Sequence, residues 1–136
     1  MLIGFKKRFK EPIENGTKIF TVRTRRKITP KIGETIHMYT GLRTKNCEKI
    51  SSQEKLVSTQ DVRILIKDWG GKWGMDIHVD GRRLSAKEII DFTISDGFLG
   101  VHDFKKYWMG DKPKEKNGVK RAGGSMVIYH WTNFRF

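Results

Sequence analysis

The sequence has little cysteine and no long apolar run. A single cysteine, Cys47, cannot form an internal disulfide, which indicates a reducing compartment. No segment is long and apolar enough to predict a transmembrane helix. The short apolar start, residues 1–5, runs directly into Lys6, Lys7 and Arg8 without a further apolar stretch, so we expect no signal peptide. We therefore expect a cytoplasmic protein with no membrane partner.

Metal-ligand spacing is also missing from the sequence. Zinc sites place Cys and His in closely spaced pairs. The four histidines lie far apart along the chain and the one cysteine has no cysteine neighbour. We therefore predict no metal and no cofactor.

Length and composition predict one domain, residues 1–136, with a core of its own. Apolar residues make up only 37% of the chain, but they include four Trp, three Tyr and eight Phe, which can fill a small core. No internal repeat is present. Two domains are not needed to account for a chain of this length.

Positive charge is in large excess: 28 Lys and Arg stand against 15 Asp and Glu, a formal net charge of +13. Such an excess favours polyanionic partners, because binding releases their counterions. The alternative is a solvated surface without a nucleic-acid partner. Two basic groups favour the first reading, and a fold that brought them together would form a basic rim: Lys6, Lys7, Arg8, Lys10, Arg23, Arg25, Arg26 and Lys27 in the first, and Lys105, Lys106, Lys112, Lys114, Lys116, Lys120 and Arg121 in the second.

The first third of the chain predicts a short helix followed by a strand. Phe5, Phe9 and Ile13 recur every four residues, which is typical of one helix face. Asn15-Gly16 predicts the end of that helix. The β-branched and aromatic residues that follow predict a strand in which Thr21 and Arg23 share a face.

The remaining pattern alternates strands and short helices. Asp80-Gly81 predicts a hairpin, and Ser85 with Glu88 predicts a capping box that starts a helix over residues 86–93. A second helix carries Trp108 and ends at Gly110. Further predicted strands cover residues 35–40, 62–67, 75–79, 82–84 and 125–131, the last of them central, and residues 111–124 are predicted as a mobile loop. The sum is an α+β fold, a small mixed β-barrel with two or three short helices.

The run Gly16-Thr17-Lys18-Ile19-Phe20-Thr21-Val22-Arg23 reads G-x-K-x-x-T-x-R. Together with the aromatic residues before it, this run resembles the signature of the ASCH domain, a branch of the PUA-like β-barrels. A second element, Asp96-Gly97-Phe98 followed by Phe104 and Trp108, is similar to the acidic-Gly-Phe element of that family. The resemblance covers residues 5–131 and implies a PUA-like β-barrel.

The resemblance also implies a site. Some ASCH members are amidohydrolases that act on an acetylated cytidine, and others are ribonucleases. In the amidohydrolase branch a Lys, a Thr three residues later and a distant Glu are catalytic, and these positions correspond here to Lys18, Thr21 and Asp96. Asp96 departs from the family pattern because it is one methylene shorter than Glu, and a general base must reach its proton within about 3 Å.

The spacing inside the motif sets a geometric condition. Lys18 and Thr21 are three residues apart, so a regular strand would send them to opposite faces. Both can line one pocket only if Lys18 precedes the strand or lies at a bulge. On the other reading of these residues, Thr21 is a strand former, Lys18 a solvated charge and Asp96 a turn residue. Arg23 pairs with a carboxylate or binds phosphate, and its planar fork favours phosphate.

We therefore expect a protein that binds RNA or a nucleotide in a basic cleft around the motif. The expected phosphate contacts are Arg23, Arg25, Arg26, Lys6 and Lys105. The first alternative is a hydrolase that uses the same cleft on a modified nucleoside, as an N-acetylcytidine amidohydrolase does, or on RNA, as a ribonuclease does. The second alternative is a module whose charge serves a protein partner.

Overall fold

The fold is built on two β-sheets, seen in a computed structural model that describes residues 1–111 and 113–136. Lys112, one of the predicted basic residues, lies outside the described residues. Within the described part of the chain the elements are, in order, β1 (Leu2–Phe5), a 3-10 turn (Lys7–Phe9), α1 (Lys10–Glu14), β2 (Phe20–Arg23), β3 (His37–Thr40), β4 (Glu48–Ser51), β5 (Ser58–Asp68), β6 (Trp73–Val79), β7 (Arg82–Arg83), α2 (Ala86–Ser95), α3 (Val101–Met109), β8 (Lys114–Lys116) and β9 (Val119–His130).

The strands form one sheet of three and one of six. The smaller sheet has the order β1-β3-β4, and the larger has the order β2-β9-β5-β6-β7 with β8 added beside β9. Among the described residues no strand pairing joins the two sheets into a closed barrel. The predicted α+β class is confirmed, but the predicted small mixed β-barrel is not seen as a closed barrel, because the strands of the described chain are arranged as two sheets with no strand pairing between them.

Long strand β5 shows why the larger sheet folds as it does. Its residues alternate between buried and exposed from Gln60 to Ile66, with Val62 and Ile64 facing the core. This alternation is the sequence pattern of a half-buried strand. β9 runs antiparallel to β5 along almost its whole length, and it also pairs with β2 and β8. The predicted central position of the last strand is confirmed.

Local sequence signals account for the short elements. Asp80-Gly81 forms the tight turn between β6 and β7, as predicted. The capping box of α2 is present, with the Ser85 side chain accepting from the Glu88 amide and the Glu88 side chain accepting from the Ser85 amide. Helix α3 ends at Gly110, as predicted.

Two predictions of secondary structure are wrong. Phe5 lies in strand β1, so the predicted helix face from Phe5 to Ile13 is replaced by a strand, a 3-10 turn and the short helix α1. The predicted loop over residues 111–124 contains strand β8 and the first half of β9, joined by a turn at Asn117-Gly118. In the first case β1 took its structure from the distant strand β3, and in the second β8 pairs with the adjacent β9, which is itself paired with the distant strand β5.

No described helix is long and apolar enough to span a membrane.

Candidate functional site

Lys18 lies just before β2 and is held there by backbone hydrogen bonds to two helices. Its amide donates to the Pro12 carbonyl of α1 at 2.9 Å, and the next amide, that of Ile19, donates to the Ser95 carbonyl at the end of α2 at 2.9 Å. Because β2 begins at Phe20, the alternation of a strand does not apply to Lys18. The condition that Lys18 precede the strand is therefore met.

The Lys18 ammonium forms a buried ion pair with Asp96. Its Nζ donates to Asp96 Oδ1 and to the Asp96 carbonyl oxygen, each at 2.6 Å. Lys18 is 2% exposed and Asp96 3% exposed. The shorter carboxylate thus reaches the lysine without the extra methylene of a glutamate. The two elements of the sequence that suggested a site, 78 residues apart, meet at this contact.

Burial acts on the protonation of both partners. Removal from water lowers the pKa of the Lys18 ammonium and raises the pKa of the Asp96 carboxyl. Their mutual attraction opposes both shifts, and desolvation is the larger influence on each. The surroundings therefore bring the pair closer to its neutral form, in which the carboxyl holds the proton and the amine has a free lone pair.

Gly97 makes room for the lysine stem. The residue has a φ of +92°, and a Cβ placed on it would lie 2.9 Å from Lys18 Cδ. A side chain here would require both a strained backbone and a displaced lysine. Glycine after Asp96 is therefore part of how the ion pair is positioned.

Thr21 and Arg23 share a face of β2, as predicted, and are joined by a hydrogen bond. Arg23 Nε donates to Thr21 Oγ1 at 3.1 Å, and Arg23 Nη2 donates to the Gly4 carbonyl of β1 at 2.8 Å. The Arg23 guanidinium lies 4.9 Å from the centre of the Phe5 ring, a cation–π distance. Thr21 is 3% exposed. Arg23 therefore orients the hydroxyl and links the two sheets, and part of its fork is used within the protein.

All four motif-associated side chains line one cavity of about 260 Å³, called here the motif cavity. Its polar lining is Lys18, Thr21, Arg23, Thr24 and Asp96, and its aromatic lining is Phe5, Phe9, Phe98, Tyr107 and Trp108. The volume is just below the range of about 300–1,000 Å³ that is usual for drug-sized ligands. A small planar group fits this size.

Trp108 supplies a polar group that the sequence reasoning missed. Its indole Nε1 is buried and has no hydrogen-bond partner among the described residues. A buried donor left without a partner costs roughly 1–3 kcal/mol. An acceptor on a ligand in the motif cavity would remove that cost. The spacing of Trp108 from Phe104 predicted only a helix face, so no sequence signal marked its N–H.

The other predicted binding residues lie around the cavity or away from it. The Lys6 Nζ lies 5.2 Å from the centre of the Tyr107 ring, at the margin of the cavity. Arg25 pairs with Asp61, and Arg26 donates to the Leu2 carbonyl at 2.7 Å. Lys105 pairs with Asp68 at 2.6 Å, on the side of α3 that faces β6.

The motif cavity can hold a flat group between aromatic rings, beside the Thr21 hydroxyl and the Trp108 side chain. Metal-binding clusters of three or more His, Cys, Asp or Glu side chains do not occur among the residues the structure describes. Comparisons of this chain with protein-family models, with curated proteins and with solved structures gave no match.

Proposed function

We propose that this chain binds RNA or a nucleotide and takes an unpaired base into the motif cavity. The observation that carries the proposal is the composition of that cavity, in which five aromatic side chains surround a small set of buried polar groups. A nucleobase has a flat aromatic surface and a polar edge. Proteins that recognise single strands stack such bases on aromatic side chains and hydrogen-bond their edges.

The polar groups of the cavity match the edge of a base. The Thr21 oxygen accepts from Arg23, so the hydroxyl proton is available to a ligand acceptor. The Trp108 N–H is a second available donor. The Lys18–Asp96 pair adds a buried polar surface whose charge is largely internally balanced. This arrangement suits a neutral base better than a phosphate.

We further propose that the chain is an ASCH domain of the PUA-like superfamily. Support comes from the two sequence elements of the resemblance, which form one cavity although they lie far apart in the chain. The two sheets would then correspond to a PUA-like barrel that is open between β1 and β2, where Arg23 bridges to the Gly4 carbonyl.

A hydrolase is the second candidate, and the buried Lys18–Asp96 pair is the observation that favours it. With the proton on Asp96, the neutral Lys18 amine could accept the proton of Thr21 as the Thr21 oxygen attacked an acyl carbon; the Lys18 ammonium would then give that proton to the departing amine as the C–N bond breaks, and water would release the acyl group as a carboxylic acid. Two features favour binding over hydrolysis. Lys18 donates both of its hydrogen bonds to Asp96, and the Thr21 oxygen accepts from a guanidinium, which makes it a poorer nucleophile.

The experiment measures binding and turnover together. Wild-type protein is titrated with cytidine 5′-monophosphate and with a 12-nucleotide single-stranded RNA, and is incubated with N-acetylcytidine and the same RNA before chromatography. Thr21→Val removes the hydroxyl and keeps the shape, and Trp108→Phe removes the indole N–H and keeps a ring. Trp69→Phe is the matched control, because Trp69 is 53% exposed in the loop before β6 and does not line the cavity.

We expect Thr21→Val and Trp108→Phe each to weaken binding about 2- to 12-fold, the equivalent of one hydrogen bond of about 0.5–1.5 kcal/mol. Trp69→Phe should bind as wild type does. Release of acetate or cleavage of RNA that disappears in Thr21→Val would establish the hydrolase instead. Absence of both binding and turnover in the wild type would refute both readings and favour a protein partner.

A further inference from the structure

Three cations lie directly opposite one another across the strands β5, β9 and β8. In the register of the larger sheet Lys67 faces Arg121, and Arg121 faces Lys114. Like charges in directly opposite positions destabilise a sheet. In the described part of the chain, none of these three side chains forms an ion pair. The repulsion in this row is therefore left for a bound anion to relieve.

A groove of about 430 Å³ lies beside this row of cations. We call it the basic groove and define it by Arg63, Lys114, Arg121, Gly123, Gly124 and Trp108. Arg63 has no ion pair among the described residues either, and no carboxylate lines the groove. Elsewhere on the same sheet an arginine does have a carboxylate partner: Arg83 of β7 pairs with Asp76 of β6.

Two adjacent glycines of β9, Gly123 and Gly124, expose backbone to the basic groove, beside apolar lining residues such as Leu65 and Met109. β9 pairs with β8 up to Arg121 and with β2 from Val127 onward. Residues 122–126 therefore pair with β5 on one side and, among the described residues, have no strand partner on the other. Gly123 has a φ of +105°, and a Cβ on it would lie 2.2 Å from the Ile64 carbonyl oxygen. A side chain is therefore excluded at this position by the backbone of β5, and glycine there is required by the close fit of β9 against β5.

The basic groove and the motif cavity meet at Trp108, which lines both. A ligand that occupied both would place a flat group among aromatic rings at one end and negative charges along the cations at the other. Arg63 and Lys67 are four residue steps apart, which is about 14 Å along an extended strand. Adjacent charges on a nucleic-acid strand are closer together than that, so Arg63 in the groove and Lys67 in the row beside it would contact different phosphates.

We propose that the basic groove holds the sugar–phosphate backbone of a single nucleic-acid strand whose unpaired base enters the motif cavity. This inference rests on the proposed function and makes it more specific: the ligand is an oligonucleotide, and a free nucleoside or mononucleotide occupies only half of the site. An acidic protein would match the cations but would leave the aromatic cavity without a matching group.

The test compares long and short ligands on variants of the two halves of the site. Lys114→Gln/Arg121→Gln removes two charges from the basic groove, and Thr21→Val removes the hydroxyl from the motif cavity. Lys31→Gln/Lys87→Gln is the matched control, because both lysines are exposed and have no ion pair among the described residues. Fluorescence anisotropy gives the affinity for a labelled 12-nucleotide RNA at salt concentrations from about 0.05 to about 0.3 M. The slope of log affinity against log salt concentration then reports the number of phosphate contacts. Calorimetry gives the affinity for cytidine 5′-monophosphate.

We expect the groove variant to lose about 1.4 from the salt slope and about 25-fold in RNA affinity at about 0.1 M salt, because each lost phosphate contact on a single strand removes about 0.7 from the slope. Its affinity for the mononucleotide should stay within about 2-fold of wild type. The groove variant should also unfold at the same temperature as wild type or higher, because a like-charge row has been relieved. The control variant, Lys31→Gln/Lys87→Gln, should lose less than half as much RNA affinity, in fold-change, as the groove variant does.

Three results would overturn the inference. If the groove variant bound RNA as tightly as wild type while Thr21→Val still weakened binding, the groove would not be part of the binding site and the base cavity would remain supported. If the groove variant bound RNA more weakly but Thr21→Val bound it as tightly as wild type, the base cavity would not be a binding site, and the proposed function would be refuted. Competition by poly-glutamate as effective as competition by RNA of equal charge would assign the groove to an acidic protein.

Discussion

Replacing Lys18 by Met isolates the energetic consequence of the buried ion pair. Methionine fills much of the space of the lysine stem and removes both donors, those to Asp96 Oδ1 and to the Asp96 carbonyl. The Asp96 side chain, 3% exposed, is left without a donor. An isolated carboxylate is costly in such surroundings, so we expect Asp96 to take up a proton in the folded variant.

The size of the stability loss follows from the cost of protonating Asp96 in the folded variant. A carboxyl with an unfolded pKa of about 3.9 must be protonated at pH 7, at a cost of about 4 kcal/mol. This agrees with the roughly 3–5 kcal/mol that breaking a buried ion pair costs. Because the folded variant binds one proton more than the unfolded chain, its free energy of unfolding falls by about 1.4 kcal/mol for each pH unit above about pH 5. At pH 5 the loss should therefore be only about 1.5 kcal/mol.

Urea unfolding of wild type and Lys18→Met at pH 5, 6 and 7 measures this slope. The wild-type pair holds one proton in the folded and in the unfolded state at these pH values, so it adds no slope of its own. The control is Lys18→Met/Asp96→Asn, in which no carboxyl remains and the loss should not depend on pH. A loss of the same size at pH 5 and pH 7 in the single variant would refute the reasoning.

Three further outcomes are expected. Burial lowers the pKa of His130 to about 4. Between about pH 6.5 and 4 the unfolded chain takes up a proton and the folded chain does not, so the free energy of unfolding should drop by up to about 3 kcal/mol as the pH falls through this range. Urea unfolding of wild type and His130→Gln measures this drop, and an equal pH dependence in both proteins would contradict the prediction. Ser85→Ala should lose about 1 kcal/mol in thermal unfolding through the broken capping box, and a loss below a few tenths would count against that role. Gly97→Ala should unfold at a lower temperature than Gly81→Ala. Both glycines have positive φ, but only a Cβ at Gly97 would meet Lys18. Equal melting temperatures would show that the lysine moves aside at little energetic cost.

The polar half of the site could be predicted because its geometry is local. Strand alternation places Thr21 and Arg23 on one face, and the hydrogen bond between them follows from that placement. The contact between Lys18 and Asp96 could not come from spacing, because 78 residues separate the two. Only the resemblance suggested it.

The errors fall where the partner of a segment lies far along the chain. Phe5 and Phe9 are spaced like residues of one helix face, yet they line the same cavity from a strand and from a 3-10 turn. The spacing of two or three apolar residues is too short a pattern to distinguish these cases.

The hairpin of β8 and β9 was missed for a related reason. The strand β8 and the first half of β9 are polar and basic and show no apolar alternation; β8 is held by backbone pairing to β9, and β9 by backbone pairing to β5. The turn signal was nevertheless present in Asn117-Gly118, a dipeptide typical of tight hairpins. As a consequence Lys114 and Arg121 of the second basic group, which lie in the segment predicted as a mobile loop, supply two of the three cations in the fixed row beside the basic groove.

The close fit of Gly97 against the Lys18 stem has a consequence for how the sequence tolerates change. Lys18 is distant in the chain from the adjacent residues Asp96 and Gly97, but it restricts what both of them can be. In a scan of paired substitutions we expect epistasis between Lys18 and Gly97: once Lys18 is replaced by a short side chain, Gly97→Ala should lose the part of its steric penalty that comes from Lys18 Cδ, and should keep the contact with Phe9 Cδ1 at 3.1 Å and the positive φ. Selection would then act on these positions jointly, so that a chain that had given up the lysine would lose less by changing the glycine.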